Sequence, residues 1–373
     1  MKSYKKMLTV RQFRDYVNEN SDLLISMSYK EKTNYWSRTC SAMDWLQIAK
    51  EHIDDIEQRK TKELKDLELF SLISAITIVV DCICLLHKTF INDNSYPFKG
   101  EREIFSNRTF NLDDTEYFKK IRAIFGAHPV DIKIKDKKST TWYASWPSDG
   151  ISTNRNRSVF LYGEDISDKF IQFGINISEL YMFYLTRYEY LSVIKKAIKK
   201  MLIDYKAYLQ KQSIKRVHDL MEQISILADE NKKRTNRTDY DHYLALCRMF
   251  LETNFEQPKE ADWLKKRIVF GITEIYRNLQ NVSFRKLKFL DYINLDSSTS
   301  SNIGHCFSKL YESVFDCPGY HVVYYEPLEE YICGYVTSKY RTDQELLWLV
   351  IIAMNNRKKA EASVIDKKGI SNN

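Results

Sequence analysis

A chain of 373 residues with 57 Lys and Arg against 50 Asp and Glu carries a net charge of +7, and 44% of it is hydrophobic. This balance excludes wholesale disorder and a collagen-like or silk-like chain, and the length has room for roughly two or three domains. Only 10 Gly and 6 Pro interrupt it, which favours long helices. Neither GxGxxG nor GxxxxGK[ST] occurs, which argues against a Rossmann or P-loop enzyme. The basic excess permits a nucleic-acid partner without demanding one. Seven cysteines, an odd number, and no cleavable N-terminal signal pattern predict a reducing, cytoplasmic setting.

Residues 1–33 are polar and mixed, with a short amphipathic helix expected over Val10–Val17. Residues 34–230 are expected to form a helical bundle. Tyr35–Lys60 holds Trp36, Cys40, Met43, Leu46, Ile48 and Ile53 at helical spacing. Leu67–Leu86 is almost wholly apolar and nearly long enough to cross a bilayer. Ser71, Ser74, Thr77 and Asp81 interrupt it and no second candidate span exists, so a buried bundle helix is predicted, with no membrane partner. A short helix is expected at Gly100–Ser106. Asp113 then reads as the cap of a helix with acids in its first turn, ending near His128 because Pro129 follows.

The pattern changes at about residues 130–175. Val130–Ile134, Thr141–Trp146 and Ser158–Tyr162 alternate, predicting a small antiparallel β insert. A long helical pattern follows from Ile177 to about Glu230. Asn231–Thr238 is read as a basic linker. Residues 231–373 are then expected to form a C-terminal helical or α+β domain of open role. Its helices are expected at Tyr240–Phe255, Glu260–Leu279, His305–Phe315 and Glu345–Met354, with a hairpin around Pro327 and a basic tail.

The most informative run is Lys119-Lys120-Ile121-Arg122-Ala123-Ile124-Phe125-Gly126-Ala127-His128-Pro129. It is an Arg and a His six residues apart at the end of a helix, preceded by two long helices. This resembles the HEPN superfamily, helical ribonucleases with an R-x(4–6)-H signature, and its His-Pro-Val run is similar to the abortive-infection branch. The resemblance covers about Tyr35–His128. It implies a HEPN-like bundle, metal-independent RNA endonuclease activity and an antiviral-defence or toxin effector. It also implies a homodimer with the active cleft at its interface, and a regulatory or antitoxin partner. The alternative is a non-catalytic HEPN-like module that binds RNA or protein.

The residue types suit the chemistry. A 2′-hydroxyl attacks its neighbouring phosphate, one group takes its proton, and another protonates the leaving 5′-oxygen. His128 titrates in the right range, and the planar Arg122 can clamp the phosphorane oxygens. On an ideal helix the two lie about 120° apart, so Gly126 and Pro129 are expected to let the last turn swing His128 back. Ala123 stands where many members of that superfamily carry a polar residue. Asp81, expected to be an expensive carboxylate inside an apolar helix, is the candidate to orient the pair.

For RNA contact the candidates are Trp142, Tyr143 and Trp146 on the β insert, beside Lys135, Lys137 and Lys138, with Lys119 and Lys120 on the motif helix. Alternation puts Trp142 and Trp146 on one face and Tyr143 on the other. Lys195, Lys196, Lys199 and Lys200, then Lys232, Lys233, Arg234 and Arg237, could extend a phosphate path. His305, Cys306, Cys317, His321 and Cys333 lack the paired spacing of a zinc site. No metal and no cofactor are expected.

Overall fold

Helix α4 (Asp66–Phe90) is the organising element of the first half of the chain. Its buried side, Leu69, Leu72, Ile73, Ile76, Val79, Ile83 and Leu86, recurs at the 3-and-4 spacing of one helical face. It packs on α3 (Tyr35–Gln58), which turns Thr39, Met43, Leu46, Ala49, Ile53 and Ile56 inward. Tyr35 at the start of α3 stacks on Phe90 at the end of α4, 5.7 Å between ring centres, so the two run antiparallel. Among the described residues α4 alone is long and apolar enough to cross a membrane, and just over half of its most apolar stretch is buried within the fold. One such helix does not establish a membrane span.

The computed structural model describes residues 8–58, 64–91, 94–127, 132–133, 141–146, 156–235, 237–253, 258–284, 287–288, 300–315, 322–333, 335–336 and 342–369. It is mainly helical with one small antiparallel sheet. Contacts divide the chain into Met1–Tyr205 and Lys206–Asn373.

In the first unit, α1 (Val10–Glu19) begins with a capping box between Thr9 and Gln12. Next comes α2 (Ser21–Glu31), a helix hidden in a stretch that reads as merely polar and mixed. The stretch 100–106 is not helical as expected. Its backbone N–H groups instead converge on one buried carboxylate: Glu103 and Ile104 donate to Asp114 Oδ2, and Phe105 to Oδ1. Asp113 caps α5 (Asp114–Arg122) by accepting from Glu116 N, as its sequence predicts. A π-helix over Ala123–Ala127 prolongs α5.

The sheet runs β1 (Ile132–Lys133), β2 (Thr141–Ser145), β3 (Asn156–Gly163), β4 (Ile171–Asn176), each antiparallel to the next. The fourth strand was not expected. Trp142, Val159, Leu161, Phe173 and Ile175 face the core. The long helical pattern after the sheet is interrupted rather than continuous, giving α6 (Ile177–Glu189) and α7 (Leu191–Gln210).

The second unit contains α8 (Leu220–Arg234), α9 (Thr238–Glu252), α10 (Pro258–Asn281), α11 (Ser301–Phe315), α12 (Val322–Cys333) and α13 (Asp343–Gly369). Every element described there is a helix, with no strand among the described residues of the unit. The first half of the expected linker, Asn231–Arg234, is the last turn of α8, and its last residue, Thr238, begins α9. The expected hairpin around Pro327 is α12, where Leu328 and Ile332, four apart, are buried and Tyr325 donates to Asp343. Leu346 to Met354 of α13 are buried without a break, the signature of a helix surrounded by others. That helix continues to Gly369, through the stretch read as a basic tail.

Candidate active site

The motif helix α5 carries Arg122 as its last α-helical residue. Arg122 is exposed, and among the described residues no hydrogen bond or ion pair engages it. The segment after it is not the unwound turn expected from Gly126. It is a π-helix, a wide turn that is rare and frequent at functional sites. Gly126 serves close packing instead. A Cβ there would lie 3.1 Å from Phe70 Cδ2 and 3.2 Å from Cε2 on α4. His128 and Pro129 lie outside the described residues.

Asp81 faces this helix from α4, but it is exposed rather than buried. The reason is that α4 has a less covered stripe through Leu67, Phe70, Ser74 and Asp81, which its apolar composition conceals. Partial enclosure by that apolar surface raises the Asp81 pKa, while Arg122 and Lys119 pull it the other way. Two of the three proposed catalytic residues are therefore electrostatic neighbours. The thiols beside Asp81 are held toward the protonated form by the same physics. Burial first, and Asp81 second, pushes Cys82 up to about 12 and raises Cys84.

The lysines of the motif are partly committed. Lys119 pairs with Glu116 at 2.7 Å, and that hydrogen bond raises its pKa. Lys120 donates to the backbone oxygen of Lys133, fastening α5 to β1.

The proposed RNA-contact residues separate. Trp142 is 1% exposed and belongs to the core, opposite Ile132 and Gly163, which removes it as a contact. Tyr143 is 42% exposed on the other face, and Trp146, 38% exposed, meets Phe125 edge-on at 5.4 Å. Tyr143 is the cross-strand partner of Tyr162, and Phe170 lies 6.3 Å from Tyr162 and 5.4 Å from Phe160. This aromatic outer face was missed beyond Tyr143. Its signal was present in β3, where Phe160 and Tyr162 alternate with the buried Val159 and Leu161. Lys135, Lys137 and Lys138 lie outside the described residues.

Along the proposed path through the linker Lys232 is exposed, but the other three cations are engaged in internal pairs. Lys233 and Arg234 meet Glu230, Arg237 meets Asp239, and Arg234 is buried. On α7, Lys196, Lys199 and Lys200 are exposed, whereas Lys195 sits over the Tyr16 ring. Among the described residues no cluster of His, Cys, Asp and Glu could hold a metal ion. Cys306 is buried, His305 lies edge-on to Tyr324, Cys333 is exposed, and Cys317 and His321 lie outside the described residues.

No protein-family model matches the chain, and no curated protein or solved structure proved similar to it.

Proposed function

We propose that the protein is a metal-independent endoribonuclease of the HEPN kind, acting as an antiviral-defence or toxin effector. The observation that carries this reading is Arg122. It is a solvent-facing guanidinium with no ion-pair partner among the described residues, beside the raised carboxyl of Asp81. An unpaired Arg fork is suited to a phosphate, and the acid beside it can orient the fork or the neighbouring histidine.

In the proposed reaction His128 accepts the 2′-hydroxyl proton, the 2′-oxygen bonds to phosphorus, and Arg122 holds the charge on the phosphorane. The bond to the 5′-oxygen then breaks as that oxygen is protonated. The products are a 2′,3′-cyclic phosphate and a 5′-hydroxyl end. One Arg122–His128 pair supplies half of such a site, so a homodimer with facing motifs is part of the proposal. Tyr143, Tyr162 and Phe170 offer unpaired bases a stacking surface.

That same aromatic face favours a second reading, a non-catalytic module that only binds RNA. End-group analysis of labelled RNA separates the two. The nuclease reading predicts cyclic-phosphate ends that disappear in His128→Ala while RNA retention persists. RNA retention without cleavage by the parent protein would favour the binding module, and 3′-hydroxyl products would contradict the mechanism.

A further inference from the structure

The loop between α7 and α8 is held open by unusual means. Residues 211–219 form no helix or strand, yet their backbone is satisfied by side chains from flanking helices. Gln280 accepts from Ile214 N, and Gln223 accepts from Val217 N and donates to the oxygen of Lys215. Arg234, 1% exposed, donates to the oxygens of Leu209 and Gln212. Burying a guanidinium to fasten a loop is expensive, and it leaves the loop preorganised.

Between this loop and α10 lies a half-open cleft of about 310 Å³, within the range of small-ligand sites. Val269, Ile272 and Leu220 contribute apolar surface. Arg216 and His218, two apart on the extended loop, line it, and the Arg216 guanidinium stacks over the Tyr276 ring at 4.4 Å. Among the described residues neither Arg216 nor His218 has a hydrogen-bond or ion-pair partner. Among the described residues no carboxylate lines the cleft, and the nearest along the chain are engaged: Glu222 pairs with Lys215 at 2.9 Å, and Asp219 caps α8.

An unpaired Arg fork fixed on an aromatic ring, an imidazole beside it and an apolar wall form one pattern. We propose that this cleft binds a small phosphomonoester with an apolar or aromatic body, of the size of a nucleoside monophosphate. Two phosphate oxygens accept from Arg216 and a third accepts from His218, which uses a tetrahedral anion more fully than a carboxylate. The body of the ligand covers Val269 and Ile272. The proposal is independent of the RNA-cleavage reading.

The test is calorimetric titration of the full chain with uridine 5′-monophosphate, uridine and inorganic phosphate. The monophosphate is expected to bind, and the other two much more weakly, because each supplies half of the recognition. Arg216→Gln is expected to weaken binding about tenfold or more at an unchanged melting temperature. His218→Ala, in the exposed loop, gives an independent weakening. Absence of monophosphate binding, equal binding of uridine, or affinity unchanged in both variants would overturn the proposal.

Discussion

At Asp81 two effects compete, and their balance makes the residue informative. The apolar surface of α4 disfavours the charged carboxylate more than Arg122 and Lys119 favour it, so the net shift is upward. A residue held at such a cost, with no ion pair among the described residues, is a candidate for function rather than for stability. Asp81→Asn removes the cost and is predicted to melt at the same or a higher temperature while RNA cleavage falls about a hundredfold. A lower melting temperature with cleavage intact would make Asp81 structural. His87 offers a pH test. It is buried, with Nδ1 bonded to the Tyr190 hydroxyl and Nε2 to the Ser95 hydroxyl, and burial lowers its pKa below the ordinary 6.5. The unfolded chain therefore takes up a proton before the folded one does. Its contribution to stability is complete above about 6.5 and is lost as the pH falls through the lower folded value. Urea unfolding across that window should show the slope, and His87→Gln should flatten it.

Among the elements, helices with one-sided apolar patterns were legible in sequence and those set by tertiary partners were not. The spacing in Tyr35–Gln58 and the Asp113 cap each name a helix and its start. Gly100–Ser106 suggested a helix, but nothing local reveals that its N–H groups are taken by Asp114. Val322–Tyr325 has strand propensity, yet Leu328 and Ile332 four residues apart, packed in the core, prevail over it. Arg234 looked like a linker cation because sequence shows charge and not enclosure. In the fold it fastens the α7–α8 loop, so Arg234→Met, which leaves Glu230 with Lys233 alone and strips several buried carbonyls of their donor, should cost about 3–5 kcal/mol in equilibrium unfolding. A loss below about 1 kcal/mol would mean that water replaces those bonds readily.

Across the whole molecule, glycine poverty and helical periodicity predict a mainly helical chain, and alternation at about residues 130–175 predicts a small antiparallel sheet; the fold has both. The candidate site was legible in its parts. Arg122 and Asp81, 41 positions apart in sequence, are brought into electrostatic range by the packing of α5 on α4. Which face of the sheet carries the exposed rings depended on burial, and there Trp142 went inward and Tyr143 outward. The central claim is that a lone guanidinium on α5 stabilises RNA strand cleavage without a metal ion. Its most direct test is the cleavage rate of labelled RNA in EDTA, parent protein against Arg122→Ala, with both variants shown to be folded. The account predicts cleavage in EDTA by the parent and a loss of about a hundredfold or more in the variant. Cleavage that needs added Mg²⁺, or that survives loss of Arg122, would contradict it.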